Sequence, residues 1–221
     1  MEIDHIFVMI APPAQGDAME VTSLEAFGLT QTYRRLHPGQ GTQNVCLCFD
    51  NLFLELLWVN DVTSVRSAQI ARTKLYERSE WRANGSDPFG IAWRGTFEAL
   101  ESPPSTWRYE PTYLPAGAAI EVAVDSDDPR QPMMFQSPGG SPPIDWPLEK
   151  KGALQHAGGW SRVLGVDLFL PISVAPSGCL KLLAAQTMLN VQVASDDQFS
   201  MNLHVENHGQ SKPSVLRLPY L

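Results

Sequence analysis

The sequence predicts an α+β protein built from repeated β-α-β-β-β units. Three observations carry this prediction. The chain has 221 residues, of which 43% are hydrophobic and 18% charged, a balance that suits a globular protein with a substantial core. The first 60 residues alternate short apolar runs with turn residues in the order strand, helix, strand, strand, strand. A similar order of elements recurs twice further along the chain.

The first unit spans about residues 1–60. Its opening apolar run is stopped by Pro12 and Pro13, and Gly28 follows the helix as a residue suited to a left-handed helix end. The Pro- and Gly-rich stretch 37–41 predicts a loop. The predicted strands cover residues 3–10, 29–36, 44–49 and 52–59, and the predicted helix covers 18–27.

The rest of the chain divides into three parts. A helix is predicted over 62–81. A second unit follows over about 88–137, with a short helix near 97–100, so that residues 1–137 form one domain of two units. Residues 138–160 are dense in Pro and Gly and predict a connector. Residues 161–221 predict a third β-α-β-β-β unit, complete or partial.

Charge and cysteine content restrict the partners and the compartment. The net charge is −8 and no cluster of Lys and Arg is longer than a pair, so a basic face for nucleic acid or for an anionic membrane is not expected. Three cysteines without framework spacing argue against a disulfide scaffold. No apolar run has the length of a membrane span, and the acidic start lacks the pattern of a signal peptide. We expect a cytoplasmic protein.

Two polar residues of the first unit lie inside apolar strands. His5 shares a strand face with Ile3 and Phe7, and Glu55 shares one with Phe53 and Leu57, because side chains alternate along a strand. A carboxylate in such a place must be neutralised or protonated. A divalent metal ion (Zn²⁺, Mn²⁺, Fe²⁺, Ni²⁺ or Co²⁺) would satisfy both groups. The alternatives are a hydrogen-bonded core histidine and a glutamate paired with a buried Arg.

Several phrases of the first unit resemble the glyoxalase-like domain family of the vicinal oxygen chelate superfamily. They are Asp4-His5-Ile6, Phe27-Gly28-Leu29, residues 37–44 (HPGQGTQN) and residues 53–57 (FLELL). The resemblance implies that paired units form a curved mixed sheet around a cavity, with helices on the outside. It also implies that His5 and Glu55 occupy the usual metal-ligand positions, on the first and fourth strands of a unit.

The second unit departs from the pattern of that superfamily, in which two units usually share the metal ligands. Its first strand, residues 90–94 (GIAWR), has no histidine, and its last strand offers Gln136. Asp167 and His204 of the third unit are the other residues able to complete a site. The sequence leaves open which of the three does so.

Further residues are candidates for binding a small-molecule substrate. His37 lies on the Pro- and Gly-rich loop, where functional residues are common, or it packs at a loop hinge. Asn44 follows that loop and would bond a ligand or the loop backbone. Gln136 and His156 are the remaining candidates, and a surface position is the alternative for His156.

Two functions remain open at this stage. The first is a metal-dependent lyase, isomerase or dioxygenase, in which the metal ion stabilises an anion formed from a small oxygen-bearing substrate. The second is a non-catalytic protein that binds or sequesters a small molecule in the same cavity. A small molecule is the expected partner in both, and either is compatible with a homodimer.

Overall fold

The computed structural model describes residues 1–97, 102–209 and 211–219 of the chain. It confirms the α+β class: two β-sheets dominate, and the helices are short. The helix predicted near 97–100 lies outside the described residues, except for Phe97.

Eight strands of the described chain form one mixed sheet. They are β1 (Glu2–Met9), β2 (Tyr33–His37), β3 (Thr42–Cys48), β4 (Phe53–Val59), β5 (Phe89–Arg94), β6 (Thr106–Tyr109), β7 (Ile120–Ala123) and β8 (Met133–Gln136). Their spatial order is β2-β3-β4-β1-β5-β8-β7-β6.

The two halves of this sheet repeat the same pairing of strands. In the first half β1 pairs in parallel with β4, and in the second half β5 pairs in parallel with β8. The halves meet where β1 runs antiparallel to β5, with His5 opposite Ala92. Each half therefore has the strand order of one β-α-β-β-β unit, and His5 and Ala92 occupy equivalent positions.

A second sheet contains β9 (Trp160–Leu170), β10 (Leu189–Val193), β11 (Ser200–Asn207) and β12 (Ser214–Leu218), in the spatial order β10-β9-β11-β12. The helix Gly178–Gln186 connects β9 to β10, so the order of elements along the chain is again β-α-β-β-β. The pairing differs, because β9 lies between β10 and β11, whereas β1 lies beside β4 and β5.

The helices in the described residues are α1 (Met19–Ala26), α2 (Val62–Val65), α3 (Leu75–Ser79), α4 (Trp81–Asn84), α5 (Leu148–Lys151) and α6 (Gly178–Gln186). The single helix predicted over 62–81 is wrong: the segment contains α2, a 3-10 turn, α3 and the start of α4. The break falls at Lys74, whose φ of 59° is incompatible with a continuous helix. No helix within the described ranges is long and apolar enough to cross a membrane.

One face of the eight-stranded sheet packs against the second sheet. Ile6, Val8 and Leu54 belong to the same buried cluster as Val166 and Leu203. Fully burying an aliphatic side chain of this size contributes about 1.5–3 kcal/mol, so this shared core holds the two sheets together. The opposite face of the eight-stranded sheet is thereby left free to form a cavity.

Candidate functional site

A cavity of about 590 Å³ lies on the free face of the eight-stranded sheet and is lined by both halves. Its volume falls in the range of small-molecule sites. Residues from β1, β2, β3 and β4 line one side, residues from β7 and β8 line the other, and the connector after β8 contributes Trp146 and Lys150. His5, His37, Asn44 and Glu55 are all among the lining residues.

His5 is held in place by its neighbour Asp4. A bulge between Ile3 and His5 interrupts the pairing of β1 with β5 and brings both side chains to the cavity. His5 Nδ1 lies 2.7 Å from Asp4 Oδ1, and the imidazole ring stacks on Phe53 at 4.3 Å between ring centroids. The Nε2 atom of His5 is left facing Glu55.

The Asp4 carboxylate is itself anchored from the second half of the sheet. Arg94 Nη1 donates to Asp4 Oδ2 at 3.1 Å, and both residues are buried. Burial by itself raises the pKa of Asp4, but the hydrogen bond and the electrostatic interaction with His5, together with the charge of Arg94, outweigh it and hold the pKa below its ordinary value. An ionised Asp4 accepts a hydrogen bond from His5 Nδ1–H, which fixes the orientation of the imidazole ring.

Glu55 is buried and accepts a hydrogen bond from a side chain of β3. Asn44 Nδ2 donates to Glu55 Oε1 at 2.6 Å, while Asn44 Oδ1 accepts from the backbone N–H of Arg35 at 2.9 Å. The second carboxylate oxygen, Oε2, lies 3.8 Å from His5 Nε2. Asn44 thus contacts the backbone of β2 and orients Glu55, and a hydrogen bond from Asn44 to a ligand stays a prediction.

The Pro- and Gly-rich loop between β2 and β3 contacts the second half of the sheet. His37 Nδ1 lies 2.9 Å from Thr42 Oγ1, and Gln40 Oε1 accepts from the Tyr109 hydroxyl at 2.8 Å. Burial lowers the pKa of His37, and the Glu55 carboxylate opposes this shift. The loop thus places the buried imidazole of His37 at the cavity wall. The hydrogen bond between Gln40 and Tyr109 holds the loop against β6.

The side of the cavity formed by the second half is mostly apolar, with Ile120, Met133 and Phe135. Register explains the contrast with the first half. Phe53 pairs with His5 and Phe135 pairs with Ala92, so the equivalent of Glu55, two residues after Phe53, is Ser137. Alanine and serine therefore stand where the first half has its histidine and its glutamate.

These residues do not fit a resident metal centre. Among the residues that the structure describes, no group of three or more His, Cys, Asp and Glu side chains is arranged to hold a metal ion. His5 and Glu55 supply two donors, whereas a catalytic zinc site takes three protein ligands. One oxygen of Glu55 is already engaged by Asn44, and His5 Nδ1 by Asp4.

Four residues considered from the sequence lie outside the cavity lining. Gln136 follows Phe135 on β8 and so points to the other face of the strand, where its Nε2 donates to Gly95 O at 2.8 Å. His156 is exposed and its Nε2 lies 2.6 Å from Asp50 Oδ1. Asp167 and His204 belong to the second sheet and contact each other at 2.7 Å.

Several lining residues were not identified from the sequence. Asp4 was missed because strict alternation places it opposite to His5, and only the bulge brings both to one face. Ser137 was missed because the register of β8 was unknown. Lys150 and Trp146 lie in the connector, where periodicity gives no signal. The hydrophilic pair Asp4-His5 at a strand start was the one available hint of a bulge.

One protein-family model matches part of the chain. The sequence model described as "Glyoxalase-like domain" matches residues 3–96, which contain the first half of the sheet, β5 and the pair His5 and Glu55. The resemblance to the glyoxalase-like domain family is therefore confirmed over this segment. No curated protein matches the chain.

Two solved structures match parts of the chain at low sequence identity. One is described as "Methylmalonyl-CoA epimerase in complex with methylmalonyl-CoA and NH4+", with 16% identity, a TM-score of 0.39, and coverage of 63% of this chain and 96% of that one. The other is a hypothetical protein from Staphylococcus aureus, with 14% identity, a TM-score of 0.41, and coverage of 76% and 69%.

Proposed function

We propose that the protein binds a small oxygen-bearing molecule in the cavity of its glyoxalase-like sheet, without a resident metal ion. The observation that supports this most directly is the distribution of polar groups in the cavity wall. Buried hydrogen-bonding groups, including His5, Asn44 and Glu55, come from the first half of the sheet, whereas β7 and β8 contribute mainly apolar side chains. Such a pocket orients an amphipathic molecule, with its polar atoms bonded and its carbon skeleton packed.

Glu55 would hold the polar end of the ligand. Its Oε1 atom accepts one hydrogen bond from Asn44, and a carboxylate oxygen accepts more than one. A ligand hydroxyl that donates to Glu55 would form a charge-assisted bond, which is stronger than a neutral one. His5, with Nε2 directed to the same point, would bond a second ligand oxygen.

The test is a binding screen with a matched pair of variants. Small hydroxylated and carbonyl-containing metabolites are screened by thermal shift, and hits are confirmed by NMR shifts of cavity-lining residues. Glu55→Gln should weaken a hydroxylated hit by on the order of tenfold or more, because hydrogen bonds to charged groups contribute about 1.5–3 kcal/mol. The control is Glu121→Gln, because Glu121 lies on β7 outside the cavity. A complete screen without a cavity-binding hit would contradict the proposal.

An isomerase or lyase is the second candidate, because two acid–base groups, His5 Nε2 and Glu55 Oε2, lie 3.8 Å apart at the cavity wall. The Glu55 carboxylate would take a proton from a carbon next to a carbonyl group. The electron pair of that C–H bond would move to form an enolate. A proton from water delivered to the opposite face of that carbon, with loss of the first proton from Glu55 to solvent, would complete an isomerisation.

Exchange of a substrate hydrogen with solvent distinguishes an isomerase or lyase from a protein that only binds the molecule. A carbonyl-containing hit is incubated with the protein in D₂O, and the C–H signal next to the carbonyl is followed by NMR. An isomerase or lyase would exchange that hydrogen, and Glu55→Gln would abolish the exchange. Tight binding without exchange would contradict catalysis and leave the binding function in place.

A further inference from the structure

Two positively charged side chains line the cavity without a carboxylate partner. Lys150 comes from α5 in the connector and Arg35 comes from β2. Within the described residues, neither forms an ion pair with an acidic side chain at 4.0 Å or less. Arg34, which also lines the cavity, is by contrast paired with Asp17.

Aromatic rings hold both cations in place. The Nζ atom of Lys150 lies 3.3 Å from the centroid of the Trp146 ring. The guanidinium carbon of Arg35 lies 5.0 Å from the centroid of the Tyr113 ring, and Nη2 of Arg35 donates to Tyr113 O at 3.3 Å. Trp146 and Tyr113 are themselves lining residues, so the rings orient the two charges at the cavity.

The charge distribution of the protein makes this pair unusual. The chain carries a net charge of −8, yet two positively charged side chains line this cavity. Partial burial is the main cause that lowers the pKa of Lys150; the Asp4 carboxylate opposes this shift, and the like charge of Arg35 adds to it. An anion beside Lys150 would offset both costs, because an opposite charge favours the charged form of a lysine.

We propose that Lys150 and Arg35 recognise the carboxylate of a small organic acid, whose hydroxyl group donates a hydrogen bond to Glu55 in the same cavity. The inference rests on the proposed function and adds the substrate class, a hydroxycarboxylic acid. The apolar side of the cavity, with Phe135, Met133 and Ile120, would pack against the skeleton that joins the two polar ends. The connector would thus determine specificity, since it supplies Lys150 and Trp146.

The test compares acids with their neutral amides. The probes are para-hydroxybenzoate, para-hydroxyphenylacetate and para-hydroxycinnamate, each with the corresponding carboxamide, so that only the charge changes within a pair. Dissociation constants and binding position are measured by NMR titration of the full chain. We expect each bound acid to bind on the order of tenfold more tightly than its amide.

Lys150→Gln and Arg35→Gln should each reduce this preference, and the double variant should remove it. The matched control is Lys151→Gln, because Lys151 is the next residue of α5, does not line the cavity and donates to Ile144 O instead. Lys150 and Arg35 are both exposed, so the variants are expected to fold, which the NMR spectrum outside the cavity verifies.

The outcomes separate the two proposals. Acid preference that is lost in the double variant and kept in Lys151→Gln supports the inference. Amides that bind in the cavity as tightly as acids overturn it and leave the proposed function standing. If no probe shifts a cavity resonance, the organic-acid assignment is overturned, and the broader metabolite screen then decides the proposed function separately.

Discussion

The two halves of the eight-stranded sheet have the same strand order but present different chemistry to the cavity they share. The first half places His5 and Glu55 at positions where the second half has Ala92 and Ser137. The first half therefore supplies the buried His and Glu side chains of the cavity, whereas β7 and β8 supply mainly apolar ones. The comparison teaches that two halves with the same strand order can line one cavity with different side chains.

The halves also differ in the size of the paired side chains where β1 meets β5. Phe7 of β1 pairs with Gly90 of β5, and a Cβ atom added to Gly90 would lie 1.9 Å from Phe7 Cε1. We expect Gly90→Ala to lower the free energy of unfolding by about 3 kcal/mol, because overpacking a closed core forces its neighbours to shift. Urea denaturation measures the change.

Two controls isolate the contact. Gly140→Ala should change stability by less than about 0.5 kcal/mol, because no atom lies within 4 Å of the added Cβ and the residue is exposed. The cost of Gly90→Ala should fall below about 1 kcal/mol in a Phe7→Ala background, as expected for coupled neighbours. Equal costs in both backgrounds would show that the Phe7 ring is not responsible.

The ion pair between the halves should have the next largest effect. Asp4→Asn leaves the buried Arg94 with Glu2, an exposed partner, so we expect a loss of about 2 kcal/mol at neutral pH, below the 3–5 kcal/mol for a fully uncompensated charge. The control is Asp17→Asn, which breaks the more exposed pair with Arg34 and should cost less than the Asp4 change, because solvent screens an exposed pair.

The same variant gives a pH test. The pKa of Asp4 is lowered from its ordinary value of 3.8, so its stabilising contribution is complete above that value and is lost as the pH falls through the lower pKa of the folded protein. The stability difference between parent and Asp4→Asn should stay constant from neutral pH to about pH 5 and shrink in stronger acid. A difference that shrinks between pH 7 and pH 5 would contradict an ionised, Arg-bound Asp4.

A gain of metal affinity would sharpen the comparison of the two halves. Ser137 occupies the position equivalent to Glu55, so Ser137→Glu should add a third donor beside His5 and Glu55. We expect Zn²⁺, Mn²⁺ or Co²⁺ to bind this variant on the order of tenfold more tightly than the parent, as measured by isothermal titration calorimetry. Ser137→Gln is the control. Tight binding of one equivalent by the parent, lost in His5→Ala, would contradict the two-donor description of the site.

The smallest effect is expected at Gln136. Its side chain lies on the face of β8 away from the cavity and donates to Gly95 O, so Gln136→Ala should change stability by less than about 1 kcal/mol. Affinity for a cavity-binding molecule should not change. A large loss of affinity would mean that residues on the outer face of β8 take part in binding.

Much of the first half followed from the sequence. Alternation correctly placed His5 on the face of Phe7 and Glu55 on that of Phe53, but the expected position of Ile3 beside His5 is wrong, because the bulge turns Ile3 to the core. The resemblance in residues 37–44 and 53–57 predicted paired units around a cavity. These features depend on neighbours along the chain, and a strand or turn signal is local. The broken segment over 62–84 was not foreseen, because the left-handed backbone at Lys74 has no signature in a lysine.

The tertiary structure decided which side chains complete the site. Gln136 and Ser137 differ by one position, and only the register of β8 against β5 assigns the second to the cavity, because a shift of one residue reverses the face of every side chain. The bulge that brings Asp4 beside His5 is likewise a property of strand pairing. So is the placement of Asp167 and His204 in a second sheet. The residues 146 and 150 reach the cavity through the path of the connector, which no periodic pattern specifies, since it is determined by long-range contacts.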